Sequence, residues 1–155
     1  MIKKIIYKLL SEHSPELCQK ITIVLMSKTP SKYLKIFIQP IGYKMCWRNC
    51  AIILTKANYY KISVYITDMF VWLQDMNWPG SHEIFEYLKE IPKNDLKKYF
   101  EEALKIAISA KDEDWIYYLS LFYQKTDLIE SDFSDKTIIS EMKKISKLIE
   151  IEEEN

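Results

Sequence analysis

Two histidines, His13 and His82, three cysteines, Cys18, Cys46 and Cys50, and 22 carboxylates are the side chains of this 155-residue sequence that could carry acid-base, nucleophilic or metal chemistry. Cys46 and Cys50 stand four apart and would share a helix face, so with His82 and Asp75 they make a nominal zinc set. Structural zinc sites use two tight Cys or His pairs, and only one is present; cysteines on a helix face otherwise behave as small apolar side chains. A Cys50 nucleophile with His82 as base and Asp75 orienting it can also be written. The spacing does not favour it, because His82 follows Pro79-Gly80-Ser81 at a helix start, the position of an ordinary solvent-facing residue. Glu101 and Glu102, and the run Asp112 to Asp114, are carboxylates in like surroundings, whereas paired acid and base work needs surroundings that split two pKa values. Gly42 and Gly80 stand alone, which removes the phosphate-cradling loop, the nucleophile elbow and the dinucleotide fingerprint. The expectation is a protein that is not an enzyme, with no catalytic residue, metal or cofactor.

Binding is the remaining class, and charge suggests where. The 22 basic and 22 acidic residues cancel overall, yet residues 1–60 hold ten basic against two acidic and residues 61–155 hold 12 against 20. One end able to steer an anionic partner and another able to steer a cationic one would follow if the halves are also separate in space. The acidic half carries Glu83, Glu86, Glu90 and Asp112, Glu113, Asp114, among 11 Tyr and 4 Trp of the kind that anchor protein interfaces. The basic half offers Lys28, Lys32, Lys35 and Arg48, with Tyr7, Tyr33, Tyr43 and Trp47 for stacking on a nucleic acid. Against that, Lys outnumbers Arg 21 to 1, a poor match to bidentate phosphate or base contacts.

The elements that must position these residues read as helices. Ile62, Tyr65, Ile66, Met69, Phe70 and Leu73 fall at helical spacing over residues 58–74. So do Ile84, Phe85, Leu88 and Ile91; Leu96, Tyr99, Phe100, Ala103, Ala107 and Ala110; Trp115, Tyr118, Leu119 and Phe122; and Ile138, Met142, Ile145 and Ile149. Ser14-Pro15 and Thr29-Pro30 place a capping oxygen before a proline suited to the first helical position. Residues 21–26 and 59–66 are β-branched enough to be strands, but no tight-turn dipeptide pairs them. With 48% apolar residues the chain suffices for one domain, and no stretch approaches the roughly 18 apolar residues of a membrane span. The lysines break the apolar run of the first ten residues, so these read as an amphipathic helix and not as a signal peptide; three cysteines, an odd number, suit a reducing cytoplasm.

Asp75-Met76-Asn77-Trp78 and Asp112-Glu113-Asp114-Trp115 repeat Asp-x-x-Trp at a distance of 37 residues, and Trp47 begins a further helix 31 residues before Trp78. A helix pair repeating near 40 residues is the mark of HEAT-like stacking, in which neighbours complete each other's core. The run Trp72-Leu73-Gln74-Asp75-Met76-Asn77-Trp78-Pro79 resembles the motif of an uncharacterised bacterial family, catalogued as domain-of-unknown-function 5071. The resemblance implies a small, all-helical, HEAT-like fold for residues 61–124 at least and carries no established function; the basic first 60 residues match nothing in it. Read from its residues, the motif is a corner brace. Asp75 and Asn77 would cap the next helix, Pro79 would sit in its first turn, and Trp78 would wedge between helices with its indole N–H on a backbone carbonyl.

The expected protein is all-α, a short HEAT-like solenoid of seven or eight helices. It divides into basic N-terminal helices over 1–60, a repeat core over 61–124, and a C-terminal helix with an acidic tail over 125–155. The expected function is binding of another protein, such as a basic toxin or effector neutralised by occlusion, with nucleic-acid binding through the basic half as the alternative. Asp75, Trp78, His82, Asp112, Asp114 and Trp115 are the expected binding residues; a membrane partner is not expected.

Overall fold

The computed structural model describes the backbone of residues 1–153 and side chains through Ile151; of the expected acidic tail, Glu154 and Asn155 lie outside the described residues. The helices are α1 (Ile2–Leu10), α2 (Glu16–Ser27), α3 (Ser31–Leu34), α4 (Trp47–Lys56), α5 (Tyr59–Ile62), α6 (Ile66–Met69), α7 (Ser81–Lys89), α8 (Lys93–Ala110), α9 (Glu113–Gln124) and α10 (Lys136–Glu153). Among the described residues no β-strand occurs, so residues 21–26 and 59–66 are helical segments or turns.

Over residues 59–74 the expected single helix is instead broken. Single turns α5 and α6 alternate with 3-10 turns at Ser63–Tyr65 and Phe70–Gln74. The backbone bends at Tyr65 (φ −119°, ψ 3°), within Ile62, Val64, Ile66 and Thr67, whose branched side chains tolerate helix poorly. The apolar stripe survives the break, with Ile62, Ile66, Met69, Phe70 and Leu73 fully buried. Chain direction thus yields where burial does not.

Pro15 and Pro30 act one position earlier than expected, and Pro92 marks the break before α8 in the same way. Pro15, Pro30 and Pro92 lie outside α2, α3 and α8 with extended ψ of 135°, 148° and 132°. The hydroxyls before the first two serve the preceding helix. Ser14 Oγ donates to Lys8 O at 2.6 Å and Thr29 Oγ1 to Met26 O at 2.7 Å, a second hydrogen bond to last-turn carbonyls that also accept the Ser11 and Thr29 backbone N–H groups.

Contacts run from neighbour to neighbour. α1 packs on α2, α2 on α4, and α4 on α7; α6 lies against α8, while α8, α9 and α10 touch one another. Asn49 fastens the first layer by donating to Leu10 O at 2.7 Å and Gln19 Oε1 at 2.6 Å. In the second half, Phe122 sits among Phe70, Phe85 and Phe100 at centroid distances of 5.4, 5.2 and 6.0 Å. Tyr59 Oη donates to Asp95 Oδ2 at 2.9 Å, and Thr67 Oγ1 to Glu102 Oε2 at 2.8 Å, tying the broken stretch to α8.

Glu101 on α8 holds the chain entering α10, accepting from the Ser134 backbone N–H at 3.2 Å, from Ser134 Oγ, and from Lys105 Nζ at 2.6 Å. Burial works to raise its pKa, but these donors outweigh burial and hold the carboxyl below its usual range. A depressed folded value gives stability that is full above the unfolded value and lost as pH falls through the folded one. Glu101→Gln is therefore expected to cost about 1–2 kcal/mol at neutral pH, a gap that closes as urea denaturation is repeated below about pH 4.

Gly42 (φ +78°) and Gly80 (φ +94°) both occupy the left-handed region, but a Cβ on Gly42 would meet open space, whereas one on Gly80 would lie 2.7 Å from Ala51 Cβ. Gly42→Ala is expected to cost about 1–2 kcal/mol for backbone conformation alone. Gly80→Ala adds overpacking and should cost about 2–5 kcal/mol by urea denaturation.

Candidate protein-binding groove

The turn that launches α7 is built by the motif residues, in roles partly exchanged from those expected. Asp75 Oδ1 accepts the Asn77 backbone N–H at 2.8 Å, within the turn and not on α7; the helix start is formed by Gly80 in the left-handed region. Trp78 N–H reaches Asp75 O at 3.0 Å, and Ser81 Oγ, fully buried, lies 2.9 Å from Trp72 O and 3.0 Å from Asp75 O. The indole that wedges between helices is Trp72, fully buried with Nε1 donating to Pro79 O at 3.1 Å. Trp78 is only half-buried, with its ring edge-on to Trp47 at 5.3 Å and Lys44 Nζ 5.8 Å from its centroid. Trp72 lies on the apolar side of the 3-10 turn Phe70–Gln74, whereas Trp78 falls in the turn after that helical run has ended, so the former turns inward.

The second Asp-x-x-Trp is used differently. Asp112 Oδ1 accepts the Trp115 backbone N–H at 3.0 Å and caps α9 directly, and the Trp115 indole, 3% exposed, donates to Phe70 O at 3.1 Å. Trp115 therefore faces the core and not a partner. Trp78 precedes α7, whereas Trp115 lies inside α9, because Pro79-Gly80 delays the first helix start. Asp114 is exposed in the first turn of α9, and His82 is exposed in the first turn of α7.

Between α7 and α9 the structure opens a groove of about 340 Å³ lined by Met76, His82, Phe85, Glu86, Tyr118, Leu121 and Lys125. Its floor is apolar and its rim carries one carboxylate, one ammonium and one imidazole, the composition of a site that seats an apolar side chain and orients it by polar contacts. Of the expected residues only His82 reaches it. Phe85 and Tyr118 were legible as stripe residues, but their half-burial was not; Leu121, off the stripe of α9, was the available signal that this helix is apolar on two sides.

Cys46 and Cys50 are buried with Sγ atoms 3.6 Å apart. The hydrogen bond between them holds the Cys46 thiol below its usual range, while the same bond and burial push Cys50 up. His82 and Asp75 lie on the α7 turn, outside this buried pair, and among the described residues no three His, Cys, Asp or Glu side chains gather as a metal site.

A model of a family described as a domain of unknown function, DUF5071, matches residues 48–155. The chain belongs to the DUF5071 family. Neither the curated proteins nor the solved structures contain a match to it. The DUF5071 region starts at Arg48 in the first turn of α4 and takes in the motif turn, the α9 cap and the groove, a wider span than the 61–124 implied by the motif. Helices α1 to α3 lie ahead of the DUF5071 match.

Trp72→Ala should remove a fully buried indole and its hydrogen bond, at a cost of about 3–5 kcal/mol. Trp78→Ala, half-exposed, should cost about 1–2 kcal/mol. Urea denaturation of the two variants in parallel checks this order.

Proposed function

We propose that the chain is a non-enzymatic protein-binding domain, its helices stacked as a short HEAT-like α-solenoid, and that neutralising a toxin or effector by occlusion is its task. The stacking reading is supported by two chains of contacts, α2–α4–α7 in one row and α6–α8–α10 in the other, joined through the 3-10 turn Phe70–Gln74, which packs on α7 and also on α6, α8 and α9. The groove between α7 and α9 carries the functional reading. Its half-buried Phe85 and Tyr118, with Met76 and Leu121, form an apolar seat of the kind interface hot spots use. The exposed Glu113 and Asp114 in the first turn of α9 supply negative charge to steer a basic partner.

The remaining chemistry fits binding better than catalysis. Cys50, the candidate nucleophile, is sealed in the core beside Cys46, while His82, the candidate base, is at the surface. Nucleic-acid binding has weaker support, since three of its four stacking residues are engaged and only Tyr33 is half exposed. Tyr7 and Tyr43 lie together at 4.7 Å with Tyr7 Oη donating to Ile36 O at 2.6 Å, and Trp47 Nε1 donates to Pro40 O at 3.1 Å.

Affinity purification of the tagged protein at physiological salt, with wild type and Leu121→Glu side by side, tests the reading. One stoichiometric protein is expected on the wild type, reduced at least about tenfold on the variant, with both melting alike. Glu113→Lys with Asp114→Lys should slow association with that protein while leaving dissociation nearly unchanged. Equal retention on Leu121→Glu would remove the groove from the function.

A further inference from the structure

Both helices of the first layer turn apolar residues toward solvent. On α1, Ile2, Ile5 and Leu9 follow one another at i, i+3 and i+7 and are 72%, 54% and 38% exposed, while Tyr7 and Leu10 face the core. On α2, Leu17, Ile21, Val24 and Leu25 fall at i, i+4, i+7 and i+8 and are about half exposed or more, while Thr22, Ile23 and Ser27 face inward. A helix apolar on every side is normally buried on every side. Since α1 packs on α2 and α2 on α4, the two helices make the end layer, and their exposed stripes are apolar where a stacked helical protein ordinarily places polar residues.

The charges around the stripes identify what covers them. Lys4 and Lys8 border the α1 stripe; Lys20 joins Ile21, Val24 and Leu25 around a shallow depression, and Lys28 ends the α2 stripe. Glu12 and Glu16 are the acidic residues of the first 60, and Glu16 is paired with Lys20 at 2.6 Å. A second copy seated on this surface would oppose lysine to lysine. A protein partner is disfavoured by composition, because interface cores are rich in aromatic residues and Arg and poor in Lys, whereas the stripes are wholly aliphatic and their charged border is lysine. Aliphatic stripes with a lysine border match the interfacial zone of an anionic bilayer, apolar side chains among the acyl chains and ammonium groups among the headgroups.

We propose that the outer face of α1 and α2 docks on anionic membrane surfaces, holding the DUF5071 region at the bilayer. No helix among the described residues is long and apolar enough to cross a membrane, and a face lying in the headgroup plane does not need one. A peripheral bilayer contact departs from the sequence-based expectation of no membrane partner, which rested on the lack of a spanning segment.

The full chain is mixed with phosphatidylcholine vesicles with and without phosphatidylserine, and bound protein is measured by flotation. Binding is expected to the anionic vesicles, weakened by salt, and lowered at least about tenfold by Ile21→Glu with Leu25→Glu. Both positions are exposed, so an unchanged thermal melt separates lost docking from lost fold; Lys20→Gln with Lys28→Gln should weaken anionic binding without introducing acidic groups. Absence of binding to anionic vesicles overturns the proposal, as does binding that the apolar substitutions leave intact. A dimer that Ile21→Glu with Leu25→Glu dissociates would assign the face to a second copy. Retention of single-stranded DNA that needs the lysines but not Ile21 and Leu25 would assign it to nucleic acid, and either result overturns the proposal.

Discussion

The second half of the molecule depends on the seating of one indole. Burying Trp72 completely leaves its N–H with no water to bond, so a carbonyl must come to it, and Pro79 O does so at 3.1 Å. Bringing Pro79 there folds the chain back over Trp72, and the next residue must pass between that ring and α4. Only a glycine fits, since a Cβ on Gly80 would stand 3.0 Å from Trp72 Nε1 and 3.1 Å from Trp47 O as well as against Ala51. The direction of α7, and with it the wall of the groove, follows from that passage.

Much of this was readable before any coordinates. Helical spacing identified the buried Ile62, Ile66, Met69, Phe70 and Leu73 even though the chain there is not one helix, because burial follows the apolar pattern while continuity depends on branched residues and bends. It also took in the half-buried Tyr65 and missed Trp72. The α9 cap was also readable, since an aspartate three residues before a tryptophan has a local partner, the Trp115 backbone N–H. The motif tryptophans were harder. Trp72 and Trp78 are chemically alike and six apart, and which of them turns inward is decided by Pro79, Gly80 and the distant Ala51. The groove was least legible, because a half-exposed phenylalanine and a core phenylalanine have the same spacing in sequence, and their exposures differ only once α7 and α9 are set side by side.

The charge asymmetry acquires a spatial meaning alongside the family boundary. The DUF5071 match begins at Arg48, and Arg48 itself crosses to α7, its Nε donating to Glu83 Oε1 at 2.7 Å. Next to it, Asn49 reaches the other way to Leu10 and Gln19. Adjacent residues of α4 therefore clamp the family region on one side and the basic N-terminal layer on the other. That layer is fastened by packing and hydrogen bonds, among them the Lys61 ammonium on Lys28 O at 3.1 Å, and of its own lysines Lys20 is held by Glu16.

The buried pair Cys46 and Cys50 makes the start of α4 a clock for its own breathing. Sγ atoms at 1% and 0% residue exposure cannot meet a water-borne thiol reagent in the closed state, so each modification records an opening of the Lys44–Lys56 stretch. Cys18, half-buried on α2, is partly accessible in the closed state and supplies a reference rate within the same molecule. Three thiols without disulfides thus divide the protein into regions whose local stabilities can be timed separately, with no label introduced.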